Sequence, residues 1–277
     1  MTEILHCGRF KLPLGRPLVM GVVNVTPDSF YDGGRYGTPQ AAIVQARRLA
    51  EEGADLLDVG GESSRPGAAP VTAEEELARI LPVLEGVADL QMPVSVDTTK
   101  PEVMRAALAH GAAMINDITA LAAPGALEVV GAGGAAVCLM HMQGSPRTMQ
   151  AEPTYADVVV EVRDFLGARA AACVAAGIAR DRIVVDPGFG FGKTVAHNLT
   201  LLARLGEIAA LGFPVLAGWS RKSSLGRITG RSAEERLAGS VAAALIAVQR
   251  GARIVRVHDV AATRDALAVL AAVEGNG

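Results

Sequence analysis

The 277-residue sequence has few cysteines, no excess of basic charge and no long apolar run, and each lack closes off a class of function. Its three cysteines, Cys7, Cys138 and Cys173, show neither metal-site spacing nor a CxxC pair. An odd count, behind an opening MTEILHCGRFKL that is no export signal, points to reduced thiols in the cytoplasm. Lysine and arginine number 26 against 29 acidic residues, for a net charge of −3, and they are scattered rather than striped. That excludes a nucleic-acid footprint. No apolar stretch nears the roughly 18 residues needed to span a bilayer, so no membrane is expected either. The expected partner is a small molecule.

What is present is a recurrence. Seven short apolar runs climb to a polar residue and then break into Gly, Pro, Ser or Thr. They end at Asn24, Asp58, Asp97, Asn116, Asp186, Lys222 and His258. With a further run at 135–140, eight strands are expected near 18–24, 54–58, 93–97, 112–116, 135–140, 182–186, 213–217 and 253–257. Helical patterns separate them. Thr38-Pro39 supplies an N-cap and an N1 proline, with Gly53 as the stop. Thr72 with Glu75, and Ser232 with Glu235, have capping-box spacing, and glycines 111, 177, 212 and 251 close further helices. Such alternation allows an open doubly wound sheet or a closed barrel. In an open sheet only strands beside the switch point share a ligand, whereas here nearly every strand end carries a polar group. The expected fold is therefore an α/β (β/α)8 TIM barrel, a single domain over 1–277, with its chemistry at the carboxyl face of the strands.

The segments NVTPDSFYDGG (24–34), DVGGESSRPGA (58–68), SVDTTKP (95–101), INDIT (115–119), DPGFGFGK (186–193), SRKS (220–223) and RVHDV (256–260) are more specific. Taken in order, from about residue 18 to 270, they resemble the dihydropteroate synthase family of folate biosynthesis. The resemblance implies a barrel that condenses 6-hydroxymethyl-7,8-dihydropterin diphosphate with p-aminobenzoate and releases diphosphate. It implies Asp97, Asn116 and Asp186 as pterin-binding residues, with Lys222 beside them and Met140 and Ile118 against the ring. It implies Asn24 as a contact to Mg²⁺ bound with the diphosphate, and Arg65, Arg256 and His258 as the cations facing that group. For p-aminobenzoate it points to Ser64, Pro66, Phe191 and Ser223, with Lys222 near the carboxylate. Many family members carry Thr where Ser64 stands, which keeps the hydroxyl but bears on sulfonamide-type inhibitors that mimic the amine. Asp97, Lys222 and Arg256 are the expected catalytic residues, and a homodimer through outer helices is implied, with Ala-rich stretches at 168–176 and 238–248 as candidates.

The residues suit that chemistry. A carboxylate accepts the amino group and ring N–H of a pterin edge in a bidentate way, as it would a guanidinium. A diphosphate asks for cations, a metal and backbone N–H groups, and a lone Asn binds Mg²⁺ only if the phosphates complete the shell. Arg256 and His258, two apart on a strand, share a face. An aromatic amine is neutral and nucleophilic at pH 7, so the missing Ser-His-Asp or Cys-His arrangement is no obstacle. The loops 25–37 and 61–71 have the length and composition of lids. Blander readings exist for single residues: a strand-end Asp can cap the next helix, and an apolar strand residue can be plain core. Asp58, with no ligand group left for it, is expected to be structural, orienting the loop that carries Ser64 and Arg65. PGFGFGKT (187–194) mimics a P-loop, but Pro187 stands where that motif needs Gly. Its glycines are expected to admit the backbone to the pterin, and the role of Lys193 is open. Two rivals remain. A pterin-binding methyltransferase needs no SSRPG, SRKS or RVH, and a non-catalytic paralogue would lack Arg65, Lys222 or Arg256.

Overall fold

The computed structural model describes residues 3–25, 38–63 and 67–275. Two short strands, β1 (Ile4–Cys7) and β2 (Phe10–Pro13), form an antiparallel hairpin that the sequence pattern did not announce. Eight parallel strands follow: β3 (Leu18–Asn24), β4 (Leu56–Gly60), β5 (Val94–Asp97), β6 (Met114–Asp117), β7 (Ala136–Met140), β8 (Ile183–Asp186), β9 (Val215–Ala217) and β10 (Ala252–Val257). They close in the order β10-β3-β4-β5-β6-β7-β8-β9, with β10 pairing β9, so the barrel reading holds and the open sheet is excluded. One boundary matters later: β4 runs to Gly60, two residues past the expected end at Asp58.

Helices on the outside are set by the expected punctuation. Thr38 accepts from the Ala41 amide at the start of α1 (Pro39–Glu51), and Gly53 follows it at φ 95°. Thr72 and Glu75 form a reciprocal capping box on α2 (Ala73–Gly86). Then come α3 (Pro101–Ala109), α4 (Ala126–Gly131), α5 (Val158–Ala175), α6 (Val195–Ala203), α7 (Leu205–Ala209), α8 (Ser223–Thr229), α9 (Leu237–Gln249) and α10 (Val260–Glu274). At Ser232 the expectation shifts. Glu235 does accept from the Ser232 amide, but this closes a separate turn, and α9 starts only at Leu237 with no side-chain cap.

Side-chain alternation along each strand divides the core in two. Outward residues such as Val19, Leu57, Val96, Ile115, Val137, Val185 and Val255 pack under the helices. Inward residues Leu18, Met20, Leu56, Met114, Cys138, Val184, Leu216 and Ile254 fill the barrel, and Leu5 and Cys7 of the hairpin stop its lower end. Each such Leu, Ile or Met contributes on the order of 1.5–3 kcal/mol by leaving water. Below the mouth, Ser95 and Asp58 are the buried polar exceptions among these inward positions.

Candidate active site

The pleat builds the site. Two or four residues above an inward core residue the same parity reaches the mouth, where every such position but Met140 is polar. Met20 leads through Val22 to Asn24, Leu56 to Asp58, Ser95 to Asp97, Met114 to Asn116, Cys138 to Met140, Val184 to Asp186, and Ile254 through Arg256 to His258. The register aligns them around the mouth: Asn24 with Gly60, Gly60 with Asp97, Asp97 with Asn116, and Met140 with Asp186. None of Asp97, Asn116 and Asp186 caps a helix. The following helices α3, α4 and α6 have Lys100, Gly125 and Thr194 at their N-caps.

On one side lies a charged network. Asp58 is fully buried, and its Oδ2 accepts from Arg256 Nε at 2.6 Å and from Asn116 Nδ2 at 3.1 Å. Arg256 Nη2 also donates to Asp97 Oδ2 at 3.2 Å. This adds to two expectations. Among the described residues, Asp58 orients Arg256 and Asn116, because the strand continues past it and leaves it one layer below the mouth. Arg256, expected to face the diphosphate, is also bonded to the carboxylates at the pterin end of the mouth. Burial, and then the charge of Asp58, pushes Asp97 up to about 7, against the pull of Arg256. Burial also raises Asp186, offset by the Gly188 amide donating to its Oδ1 at 2.7 Å and by Lys222 and Lys193.

On the far side, the chain after β8 carries Phe191 to the cavity, with Lys222 Nζ 4.1 Å from its ring centroid. Lys222 is the N-cap of α8 and Ser223 its first residue. The turn before them is strained: Arg221 sits at φ 57°, a region costing a non-glycine on the order of 1 kcal/mol or more. It is held by Arg221 Nη2 donating to Asp259 Oδ1 at 2.8 Å and by the Arg221 amide on Ser240 Oγ at 3.0 Å. So the SRKS and RVHDV segments are one unit, tied by a pair that sequence reading left without a role. His258 joins them, with Nδ1 2.9 Å from Ser220 Oγ. At two of the glycines after β8, packing alone leaves no room for a side chain. A Cβ on Gly188 would fall 1.9 Å from the His141 carbonyl oxygen, and one on Gly192 would fall 2.6 Å from that of Gln143.

These groups share one cavity of about 700 Å³. Asn24, Asp97, Asn116, Ile118, Met140, Asp186, Phe191, Lys222, Ser223, Arg256 and His258, all expected from the sequence, line it. Ser64, Arg65 and Pro66 lie outside the described residues, as does 26–37 of the expected first lid. Of the second lid, Glu62 lines the cavity and is fastened from outside, by Lys100 Nζ on Oε2 and by the Val71 amide on Oε1 at 3.2 Å. Sequence reading gave no role to Glu62, though it lies within DVGGESSRPGA, or to Met149 and Gln150, whose only signal was their place in the loop following β7.

A parallel barrel whose mouth gathers strand-end carboxylates and an amide beside a cationic rim defines a pterin-binding enzyme, and the chain belongs to that family, whose "Pterin binding enzyme" model matches residues 20–258. Within it, the chain is a member of the dihydropteroate synthases, which are transferases. It is 53% identical over 274 residues to the dihydropteroate synthase of Neisseria meningitidis serogroup B, covering 96% of each chain. The Burkholderia cenocepacia dihydropteroate synthase, solved in complex with 7,8-dihydropteroate, has a TM-score of 0.91 and 54% identity, covering 99% of this chain and 97% of that one. The Xanthomonas albilineans enzyme with 4-aminobenzoic acid has a TM-score of 0.93 and 57% identity, covering 99% of each.

Proposed function

We propose that this chain condenses 6-hydroxymethyl-7,8-dihydropterin diphosphate with p-aminobenzoate, giving 7,8-dihydropteroate and diphosphate. The observation that carries this is the single cavity with acceptors at its base and Lys222, Phe191 and His258 around it. Asp186, Asp97 and Asn116 take the donor edge and the ring nitrogens of the pterin, with Met140 and Ile118 on its faces. Arg256 and His258, with Arg65, face the diphosphate. Lys222 and Ser223 receive the benzoate carboxylate, with Phe191 on its ring and Ser64 and Pro66 completing the pocket. Sulfonamide-type mimics occupy the same place.

Departure of diphosphate leaves a cation at the exocyclic carbon that the pterin ring delocalises, so the substitution is largely dissociative. The residues act by juxtaposing two substrates, stabilising the leaving charge and excluding water. Mg²⁺ fits the chemistry at Asn24. Among the described residues no cluster of three or more His, Cys, Asp or Glu offers a site, and Asn24 brings one amide oxygen. Asn24 would hold Mg²⁺ jointly with the diphosphate oxygens, where the ion supplies charge neutralisation for the leaving group.

The chain is proposed to act in the cytoplasm, in keeping with the free thiols of Cys7, Cys138 and Cys173. Among the described residues no helix is long and apolar enough to cross a membrane. It is also proposed to act as a homodimer through its outer helices. Ile246 on α9 and Val269 and Val273 on α10 are exposed apolar residues in keeping with that. Mixing the protein with the dihydropterin diphosphate, Mg²⁺ and p-aminobenzoate tests the activity. Diphosphate release that depends on the amine is expected, whereas release unaffected by it would sink the synthase reading and favour a pterin-binding protein without this activity.

A further inference from the structure

The segment Gly188–Gly192 has three glycines, each at positive φ, yet it must place Phe191 reproducibly. Glycine costs more backbone entropy to order than any other residue, so such a loop needs external fastening. The fastening comes from three directions. Lys193, 3% exposed, donates from Nζ to the carbonyls of Gly188 and Phe191, each at 3.0 Å. Gln150 donates to the Gly190 carbonyl at 2.6 Å, and the Tyr155 hydroxyl to that of Gly192 at 2.7 Å. Asn198 Oδ1 accepts from the Gly190 amide at 2.8 Å. Four carbonyls of five residues are thus held by side chains.

Lys193 is the centre of this cage. Its Nζ is also 3.0 Å from His141 Nδ1 and 3.3 Å from the His141 carbonyl oxygen, which ties the loop to the end of β7. Burial, and then the nearby Lys193, pushes His141 down to about 3, so its ring is a neutral acceptor. Burial also pushes Lys193 itself down to about 7, with Asp186 opposing. A buried ammonium is costly unless every donor is used, and here the donors face four acceptors. Lys193 lines the cavity with only that 3% of its surface, so Nζ, committed to the cage, acts on the site through the loop.

We propose that Lys193 is a positioning residue for the aromatic amine: with Gln150 and Tyr155 it fixes the Gly188–Gly192 backbone and so seats Phe191 against Lys222. The proposal rests on the reading of Phe191 and Lys222 as the p-aminobenzoate end of the cavity. A residue that only supports folding would lower stability and alter both substrates alike. Lys193 instead acts chiefly at the amine end, since Gly188 keeps its own amide bond to Asp186 Oδ1.

Lys193→Met keeps the aliphatic stem and deletes the donors. The KM for p-aminobenzoate is expected to rise about tenfold or more, with kcat and the calorimetric affinity for dihydropterin diphosphate changed by less than about threefold. Tyr155→Phe, which removes one hydroxyl from the far end of the loop, is expected to raise the same KM about threefold, and it carries the test if Lys193→Met does not fold. A lower melting temperature with unchanged KM, or equal losses for both substrates, would overturn the assignment. If the unaltered protein shows no amine-dependent release, the synthase reading fails by itself. The cage is then read from amide hydrogen exchange at Gly190 and Phe191, which must accelerate about tenfold in Lys193→Met or Tyr155→Phe, and unchanged exchange would overturn it.

Discussion

One buried carboxylate, Asp58, orients two groups of the cavity wall, Arg256 and Asn116. Its removal leaves Arg256, which is only one-fifth exposed, with Asp97 as its remaining carboxylate partner. Asp58→Ala is therefore expected to cost about 3 kcal/mol in denaturant unfolding, and a loss under about 1 kcal/mol would show that Asp97 holds Arg256 unaided. Asp97 also gives a pH dependence with a definite sign. Its acid form is favoured in the fold, from an ordinary 3.8 up to about 7, so between those values the native state keeps a proton that the unfolded chain releases. The stability this contributes is complete at the acid end and lost as pH rises through about 7. Asp97→Asn abolishes that titration. Relative to the unaltered protein, its melting temperature should improve from about pH 4 to about pH 7 and level off above that, and a constant difference would refute the assignment. At this scale, parity made Asn24, Asp97, Asn116, Asp186 and Arg256 legible in the sequence. The depth of Asp58 was not, because two further residues of strand, Val59 and Gly60, follow it. The cage of Lys193 was also hidden, since its partners come from a loop some forty to fifty residues away and from backbone carbonyls.

At the scale of elements, the turns after β8 and β9 shape the amine end. Gly188 has φ 68° and no room for a side chain, because a Cβ would meet the His141 carbonyl. Gly188→Ala is expected to cost at least about 2 kcal/mol and to weaken p-aminobenzoate use, read by thermal unfolding and by KM together. An unperturbed KM would mean that the loop relaxes without moving Phe191. The helices were legible wherever capping chemistry is local, as at Thr38 and Thr72. They were misplaced at Ser232, where the same spacing closes a free-standing turn. The β1–β2 hairpin escaped notice because four-residue strands carry little periodicity and owe their burial to the barrel end they cover.

For the whole molecule, closure of the sheet turns a linear pattern into a site. The same alternation that fills the barrel with Met20, Leu56, Met114 and Val184 delivers Asn24, Asp97, Asn116 and Asp186 to one mouth. The fold was therefore legible from strand count and polar strand ends. The division of the mouth was only partly so, since Arg256 joins the carboxylates through long-range contacts that no local pattern encodes. The central claim is that the mouth has a pterin end built on strand tips and an amine end built on the loops. Calorimetric titration of dihydropterin diphosphate into Asp186→Asn and Lys222→Ala tests it most directly. Binding should fall about a hundredfold or more in Asp186→Asn and remain largely intact in Lys222→Ala, whose defect appears as a raised KM for p-aminobenzoate. Normal pterin binding by Asp186→Asn would contradict it.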